Sequence, residues 1–491
     1  MENIRIGSTG PTVELVQLAL SRAGADPGVL DGDFGPSTED AVIRFQAKEG
    51  LVDDGIVGPR TWAQLTPYMT GYVEHQVKSG DTFYTLAKQY QTTMDAIATA
   101  NPTIEAKHIP DGANLIIPLG FPLVPTNISF TSQVLRFVLE GLQARYPFIG
   151  SSVIGRSIMG RPLTALVIGK GRVSVGYNAS HHANEWITTP VVLKYLEDYA
   201  KAYATGKKIG GVLAKDLYDN IRLVLVPMVN PDGVDLVTGF FKPDNYYFKQ
   251  AQTMARNYPG IPFPSGWKAN INGVDLNLSY PAGWANAREI KFEQGFTEPG
   301  PRDYVGVTPL SQPEVVAMFL FTLTQNFALT LSYHTQGEII YWRYLDYLPK
   351  DSLAIAQEMG DASGYSVEET PAASGYAGYK DWFIQQYNRP GYTIEVGRGV
   401  SPLPLSQFDK IYNDNVPILT IGMTSMIPSA GTVLPPATAT IPAPKEDLLS
   451  KYLTSQSLIE GAPPFQEEDM PPSAPLPKAA PTQTRFARWF R

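Results

Sequence analysis

The chain has 491 residues, a net charge of −8 with histidines neutral, and no cysteine. The length suggests about three domains at ~150 residues each, and the 43% hydrophobic and 11% aromatic fractions are those of a chain with a core. The acidic balance argues against bulk nucleic-acid binding. Without cysteine there are no disulfides, thiolate metal sites or cysteine nucleophiles, so any metal must sit on His, Asp or Glu. No stretch reaches the ~18 uncharged apolar residues that span a bilayer. Met1–Arg5 has no basic region leading into an apolar one, as a signal peptide has. The expectation is a soluble protein that starts in the cytoplasm.

Residues 1–70 read as a small helical module. Val13, Leu15, Val16, Leu18 and Leu20 form a helical stripe. Asp31-Gly32-Asp33-Phe34-Gly35-Pro36-Ser37-Thr38 recurs loosely as Asp54-Gly55-Ile56-Val57-Gly58-Pro59-Arg60-Thr61. Each copy is a glycine turn before a helix, with Ser37 or Thr38 expected to cap Thr38–Lys48. These repeats and Val42–Gln46 resemble the three-helix peptidoglycan-binding module.

Residues 72–120 read as strand, helix, helix, strand. The helices are expected at Thr82–Tyr90 and Thr93–Ala100, the second ended by Asn101-Pro102. Val77, Gly80-Asp81-Thr82, Leu86-Ala87, Ile97, Ala100-Asn101-Pro102 and Leu115–Pro118 resemble a LysM domain. That resemblance implies binding of N-acetylglucosamine-containing glycan. His75 and His108 are expected to be ordinary core or surface histidines. Two glycan modules in tandem imply a polymer partner, because tethering strengthens weak sites.

In residues 127–426 apolar runs alternate with helical stretches. Strands are expected at Leu163–Ile168, Val173–Tyr177, Arg222–Pro227, Ala328–Tyr333 and Tyr392–Val396. Thr189-Pro190 reads as the capped start of a helix over Val191–Ala202, and Ser311–Glu314 as a capping box before Val315–Thr324. The alternation predicts an α/β sandwich. Polar motifs follow the strands: Ser180–Trp186, Asn230–Gly233, His334 and Glu395. In open α/β sheets ligands bind beyond the strands' carboxyl ends, so these motifs are expected to converge. His182 and Glu185, three apart, suit Zn²⁺ in a chain with five histidines. His181 is the neighbouring competitor.

His182-Ala183-Asn184-Glu185-Trp186, Asn230–Gly233, Gly273–Asn277, Leu331–His334 and Tyr392–Glu395 resemble the metallocarboxypeptidase A superfamily, in that family's order. The resemblance implies a carboxypeptidase-like α/β sandwich with a mixed eight-stranded sheet. It implies one Zn²⁺ held by His182, Glu185 and His334, with Glu395 as general base. Asp275 matches the carboxylate that orients a zinc-ligating imidazole, and Lys268 falls near the family's oxyanion-stabilising arginine. The family's carboxypeptidases have Asn-Arg where this chain has Asn277-Leu278, and leucine cannot grip a terminal carboxylate. Asn277, Tyr376, Tyr379 and Arg398 remain as candidate substrate-binding residues, with no choice between the tyrosines.

With Gly378–Phe383 and the two wall-binding modules, these departures narrow the resemblance. It is to the γ-D-glutamyl-meso-diaminopimelate endopeptidases of bacilli. That implies peptidoglycan and its muropeptides as partners, no nucleic acid, and action on the cell wall. Without a leader the place of action is expected to be the cytoplasm of a bacterium, in the mother cell or around a spore. The rivals are a carboxypeptidase of ordinary peptides and a wall-anchoring protein with a dead peptidase domain. Residues 427–491 hold twelve prolines and read as an extended tail with a short helix at Lys445–Leu453. Their basic, aromatic end, Arg485–Arg491, offers a docking segment for a protein partner.

Overall fold

Proline at the first helical position opens each of the first three helices, Pro11–Arg22, Pro36–Lys48 and Pro59–Thr70, where its missing N–H is no loss. Their N-caps are Gly10, Gly35 and Gly58, without side-chain caps. Ser37 and Thr38, expected as caps, lie inside the second helix. Thr38 instead accepts a hydrogen bond from Gln17 Nε2 at 3.1 Å.

That glutamine organises the first repeat. Its Nε2 also donates to Asp31 Oδ1 at 2.9 Å, and its Oε1 accepts from Gly32 N at 2.9 Å. Gln46 does the same in the second copy, with Asp54 at 3.0 Å, Thr61 at 3.1 Å and Gly55 N at 3.0 Å. Gly32 and Gly55 have φ of 75° and 72°, where a side chain is strained. The computed structural model describes residues 3–428. The expected tail helix and the basic, aromatic end lie outside the described residues.

In the next module β1 (Tyr72–Gln76) pairs antiparallel with β2 (Asn114–Pro118). Between them stand helices Phe83–Gln89 and Met94–Ala100, capped by Thr82 and Thr93. Asn101 ties the second helix to β2: its Nδ2 donates to Ile97 O and Ile116 O, and its Oδ1 accepts from Ile116 N. His75 is buried between Tyr90 and Asp81, and His108 is exposed.

The large domain adds β3 (Gly150–Arg156), β4 (Pro162–Ile168), β5 (Val173–Ala179), the hairpin β6 (Lys208–Ile209) and β7 (Val212–Leu213), and β8 (Ile221–Val226). Then come β9 (Leu329–His334), β10 (Ile339–Tyr341), β11 (Ser366–Glu368) and β12 (Gly391–Glu395). Eight of them form one mixed sheet in the order β11-β10-β12-β9-β5-β8-β4-β3. This is the α/β sandwich with an eight-stranded mixed sheet that the sequence implied.

Its four inner strands, β12, β9, β5 and β8, are mutually parallel. Their carboxyl ends therefore share one edge of the sheet. One sheet face packs on helices Ser132–Arg145, Thr188–Ala204 and Phe408–Thr424; the other packs on Pro313–Gln325 and Tyr379–Tyr387.

Two helix starts differ from expectation. The helix expected to begin after Thr189 runs over Thr188–Ala204, directly from the turn that carries Glu185. Thr188 and Thr189 act as latches instead. Thr188 Oγ1 donates to Glu185 O at 2.7 Å, and Thr189 Oγ1 donates to Pro227 O at 2.6 Å. The capping box at Ser311–Glu314 does not form, because Gln312 is the N-cap. Glu314 is buried, accepts from Ile158 N and Asn270 Nδ2, and burial pushes its carboxyl up to about 8.

The N-terminal modules are fastened to the large domain by buried guanidinium groups. Arg145 donates to Gly71 O at 2.7 and 3.0 Å, and to Leu119 O and Phe121 O, both at 3.0 Å. It also faces Glu197 at 3.6 Å. Glu197 accepts from Leu123 N and Val124 N, while Arg22 donates to Tyr68 O, Pro122 O and Leu123 O. Removing Arg145 strands three carbonyls and a buried carboxylate. Arg145→Ala is expected to cost about 3 kcal/mol or more, read as a lower thermal unfolding midpoint. An unchanged midpoint would show that the junction is not under load.

Candidate active site

The carboxyl ends of the parallel strands deliver the site. After β5, Ser180 takes a φ of 52°, which turns His181 and His182 across the sheet edge. Asn230, after β8, holds that turn in place. Its Nδ2 donates to His181 O at 3.2 Å and to Ala269 O at 3.0 Å, and its Oδ1 caps the helix Pro231–Val237. β9 ends at His334 and β12 at Glu395, and these two residues are paired in register.

His182, Glu185 and His334 meet at one buried point. Nδ1 of His182 lies 3.0 Å from Glu185 Oε1, and Nδ1 of His334 lies 2.9 Å from Oε2. The two Nδ1 atoms are 3.1 Å apart. His182 Nε2 donates to Asp275 Oδ1 at 3.0 Å, which turns its Nδ1 inward. Thr335 N donates to Glu185 Oε2 at 3.2 Å, and Lys268 Nζ stands 3.6 Å from Oε1.

His181 takes no part in this cluster. Its ring stacks on His334, and its Nε2 meets Tyr280 Oη at 3.0 Å. Burial and the neighbouring imidazoles hold it well below the usual histidine range.

The charges explain what the point requires. Burial opposes ionisation of His182, but Glu185 and Asp275 outweigh burial and raise it to about 9. Burial opposes ionisation of Glu185 and Asp275 as well, yet His182 and Lys268 hold both well below the usual carboxylate range. Two inward imidazole nitrogens and a carboxylate are left facing one another out of water. Such a set needs a positive species between them, either a proton or a cation. His₂Glu with nitrogen and oxygen donors fits Zn²⁺, and these three residues are the group suited to a metal among the described residues.

Glu395 stands at the rim with no ion-pair partner among the described residues. Burial, with the Glu185 charge, raises it to about 8, against the downward pull of Lys268 and His182. Lys268 is 20% exposed and stays protonated: burial opposes its charge, but Glu185 and Asp275 together outweigh burial and raise it.

The other expected site residues separate. Asn277 is half-buried; its N donates to Asp275 Oδ1 and its Oδ1 accepts from Tyr379 N. Tyr379 is buried with its hydroxyl on Thr322 Oγ1 at 2.9 Å. Its phenol is spent on the helix layer. Tyr376 is half-buried, edge-on to Tyr344. Arg398 is 73% exposed and paired with Glu338. Leu278 is buried among Ala287, Val305 and Ala377.

Sequence reasoning missed Arg302, Asp303 and Lys291. Asp303 takes Lys291 Nζ at 2.9 Å on one oxygen and Arg302 Nε on the other. The only signal was a charged pair in the turn Pro299–Asp303.

The zinc carboxypeptidase family model matches residues 135–418. The chain belongs to the zinc carboxypeptidase family. It is a zinc metallopeptidase in class, with a peptidoglycan binding domain matched at residues 9–65 and a LysM domain at 75–118. It is 45% identical over 285 residues to gamma-D-glutamyl-L-diamino acid endopeptidase 1 of Lysinibacillus sphaericus, covering 58% of this chain and 70% of the relative. It is 40% identical over 276 residues to the uncharacterized protein YqgT of Bacillus subtilis strain 168, covering 56% and 72%. The crystal structure of thrombin activatable fibrinolysis inhibitor aligns with a TM-score of 0.50 at 16% identity, covering 73% of this chain and 98% of that one. That likeness bears on the fold alone. No helix among the described residues is long and apolar enough to cross a membrane.

Two outcomes follow from this geometry. Asp275→Ala frees the His182 ring and is expected to weaken zinc affinity about 10–100-fold, measured by competition with a chromophoric chelator. An unchanged affinity would remove Asp275 from that role. The second concerns Glu395, raised from 4.5 to about 8, so the folded chain holds that proton more tightly than the unfolded chain. The stability this supplies is complete below about pH 4.5 and is lost as pH rises to about 8. Metal-free Glu395→Gln is therefore expected to gain in melting temperature over metal-free wild type between pH 5 and 8. Parallel curves would show that Glu395 ionises freely.

Proposed function

We propose that the chain is a zinc-dependent peptidoglycan hydrolase that cleaves the amide between γ-D-glutamate and meso-diaminopimelate in stem peptides. One observation carries the reading. A buried His182–Glu185–His334 cluster occurs in a chain 45% identical to a γ-D-glutamyl-L-diamino acid endopeptidase. The paired wall-binding modules support it.

One zinc ion is assigned to His182, Glu185 and His334. When bound, it supplies Lewis acidity, which polarises a carbonyl and lowers the pKa of water. The chain's own residues do the rest. Asp275 keeps His182 in the tautomer whose Nδ1 points inward. Glu395, once ionised, takes the proton of the attacking water and hands it to the leaving amine. Lys268 sets a positive charge beside the point where negative charge builds on the carbonyl oxygen. Asn277 offers its amide N–H group to the substrate, since its Oδ1 is already engaged. Tyr376 packs beside Leu278 and is given no step, and in this reading Tyr379 and Arg398 take no part in the reaction.

In this reading residues 1–70 and 72–120 hold the wall polymer and its muropeptides, and 127–426 cut it. Holding by two modules raises the effective concentration of the cutting site. The place of work is the cell wall or spore envelope, or wall fragments in the cytoplasm.

The test is mass spectrometry of L-Ala-γ-D-Glu-meso-diaminopimelate after incubation with the protein. Release of L-Ala-D-Glu and free diaminopimelate is expected from wild type. Glu395→Gln is expected to slow it by about a hundredfold or more, and chelation to stop it. Trimming of ordinary peptides with the stem peptide left intact would make the chain a carboxypeptidase instead. A purified protein without zinc or cleavage would make it a wall-anchoring protein.

A further inference from the structure

The turn Pro299–Asp303 is bonded into the wall of the site. Pro301 O accepts from Lys268 N at 2.7 Å and Ala269 N at 2.9 Å, and Lys268 O accepts from Ala183 N at 3.0 Å. On the other flank Asp275 N donates to Tyr304 O at 2.8 Å, and Asp303 N approaches Asp275 Oδ2 at 3.4 Å. Gly300 N donates to Gly273 O at 3.0 Å. The backbone of Arg302 is thus fixed, between two buried residues, to the segments that carry Lys268, Asp275 and Glu185.

Its side chain is held but not spent. Nε donates to Asp303, whose other oxygen takes Lys291. Two cations share one carboxylate there, which leaves a net positive charge. Neither Nη nitrogen of Arg302 has an acceptor among the described residues, and the side chain is 43% exposed. Arg302 also lies close enough to Asp275, Glu185 and Lys268 for its charge to act on theirs. Arg398 contrasts with it, since it shares Glu338 with Lys410 at the surface.

We propose that Arg302 is the substrate-binding cation of this site, its free Nη edge taking a substrate carboxylate other than the group being cleaved. A planar fork with two free nitrogens suits a carboxylate better than a lysine does. The inference rests on the proposed reading of the substrate. In a γ-linked glutamyl peptide the glutamyl α-carboxylate is free, and an ordinary α-peptide has none at that place. The leaving diamino acid carries carboxylates too. The chemistry is shared, so the experiment separates the two sources.

Three substrates are compared: L-Ala-γ-D-Glu-meso-diaminopimelate, its glutamyl α-carboxamide, and its diaminopimelate carboxamide. Arg302→Gln is expected to lower kcat/KM on the free acid by about 10–100-fold, mainly through KM. On the analogue that lacks the bound carboxylate, wild type and Arg302→Gln are expected to be equal, and that analogue identifies the source. Arg302→Lys, which keeps the charge, is expected to recover part of the loss. An equal loss on all three substrates, or no loss on any, overturns the proposal.

Calorimetric binding of the free acid and both amides to Glu395→Gln, with and without Arg302→Gln, gives a second readout. If wild type cleaves none of the three, the proposed bond is wrong, and binding still decides the role of Arg302. Carboxylate-dependent binding that is lost with Arg302→Gln supports it, and binding that Arg302→Gln leaves unchanged overturns it.

Discussion

Glu185 keeps 2% of its side chain exposed, and a carboxylate taken out of water costs several kcal/mol unless it is paired. The site is arranged around that cost. His182, His334, Lys268 and the Thr335 amide all turn toward Glu185. Two more carboxyl groups, Asp275 and Glu395, stand in the same neighbourhood. Without a metal the cluster balances its charge with protons, which is why His182 titrates high and Glu395 is held neutral to about 8. A divalent cation takes over the first task and works against the second, because its charge draws nearby acids downward in pKa. In the proposed mechanism, metal binding and readiness of the base are then one electrostatic event. Lys268 gains from the same change, since a Glu185 that ligates a metal no longer claims its charge.

Sheet order makes this cluster possible. The proposed ligands and base come from positions as far apart as His182 and Glu395, and no local rule links them. Placing β12, β9, β5 and β8 side by side and parallel puts four chain crossings at one edge. The turns beyond that edge are then locked by side chains with purely geometric duties, such as Asn230, Thr188 and Thr189. The opposite concern, joining wall-binding modules to the cutting domain, is met by Arg145 and Arg22, which clamp the backbone between Tyr68 and Leu123. A segment clamped this way has little freedom. Gain from tethering then depends on whether the geometry lets both sites engage one polymer, rather than on linker length.

Strands and motif positions were legible in the sequence because each has a local signature. Apolar runs gave the inner strands to within a residue or two, and each polar motif sits at or just past the carboxyl end of its strand. What failed were readings that needed to know a side chain's partner. Ser311–Glu314 has the spacing of a capping box, but Glu314 finds Ile158 and Asn270, which lie far off in sequence. Thr189 looks like a cap and instead spans to Pro227. Tyr379 stands near the expected place for a substrate-side phenol, but the helix Tyr379–Tyr387 turns its hydroxyl to Thr322. Arg302 carried no periodicity, and its placement by the backbone bonds of Pro301 and Tyr304 is created only by the fold.

The proposed role of Arg302 complements the packing of Leu278. Leu278 packs with Ala287, Val305, Ala377 and Tyr376, where the resemblance to carboxypeptidases had implied an arginine. The leucine side chain is committed to packing. The next turn, Pro299–Asp303, is bonded to the Gly273–Asn277 turn through Gly300 and Gly273 and through Asp275 and Tyr304. It carries its cation on the same scaffold but at another angle, held by Asp303 and Lys291. In the proposed reading, a cation on this turn reads a substrate anion without requiring that anion to end the chain. That is what cleavage within a peptide demands of a fold related to chain-end trimming enzymes.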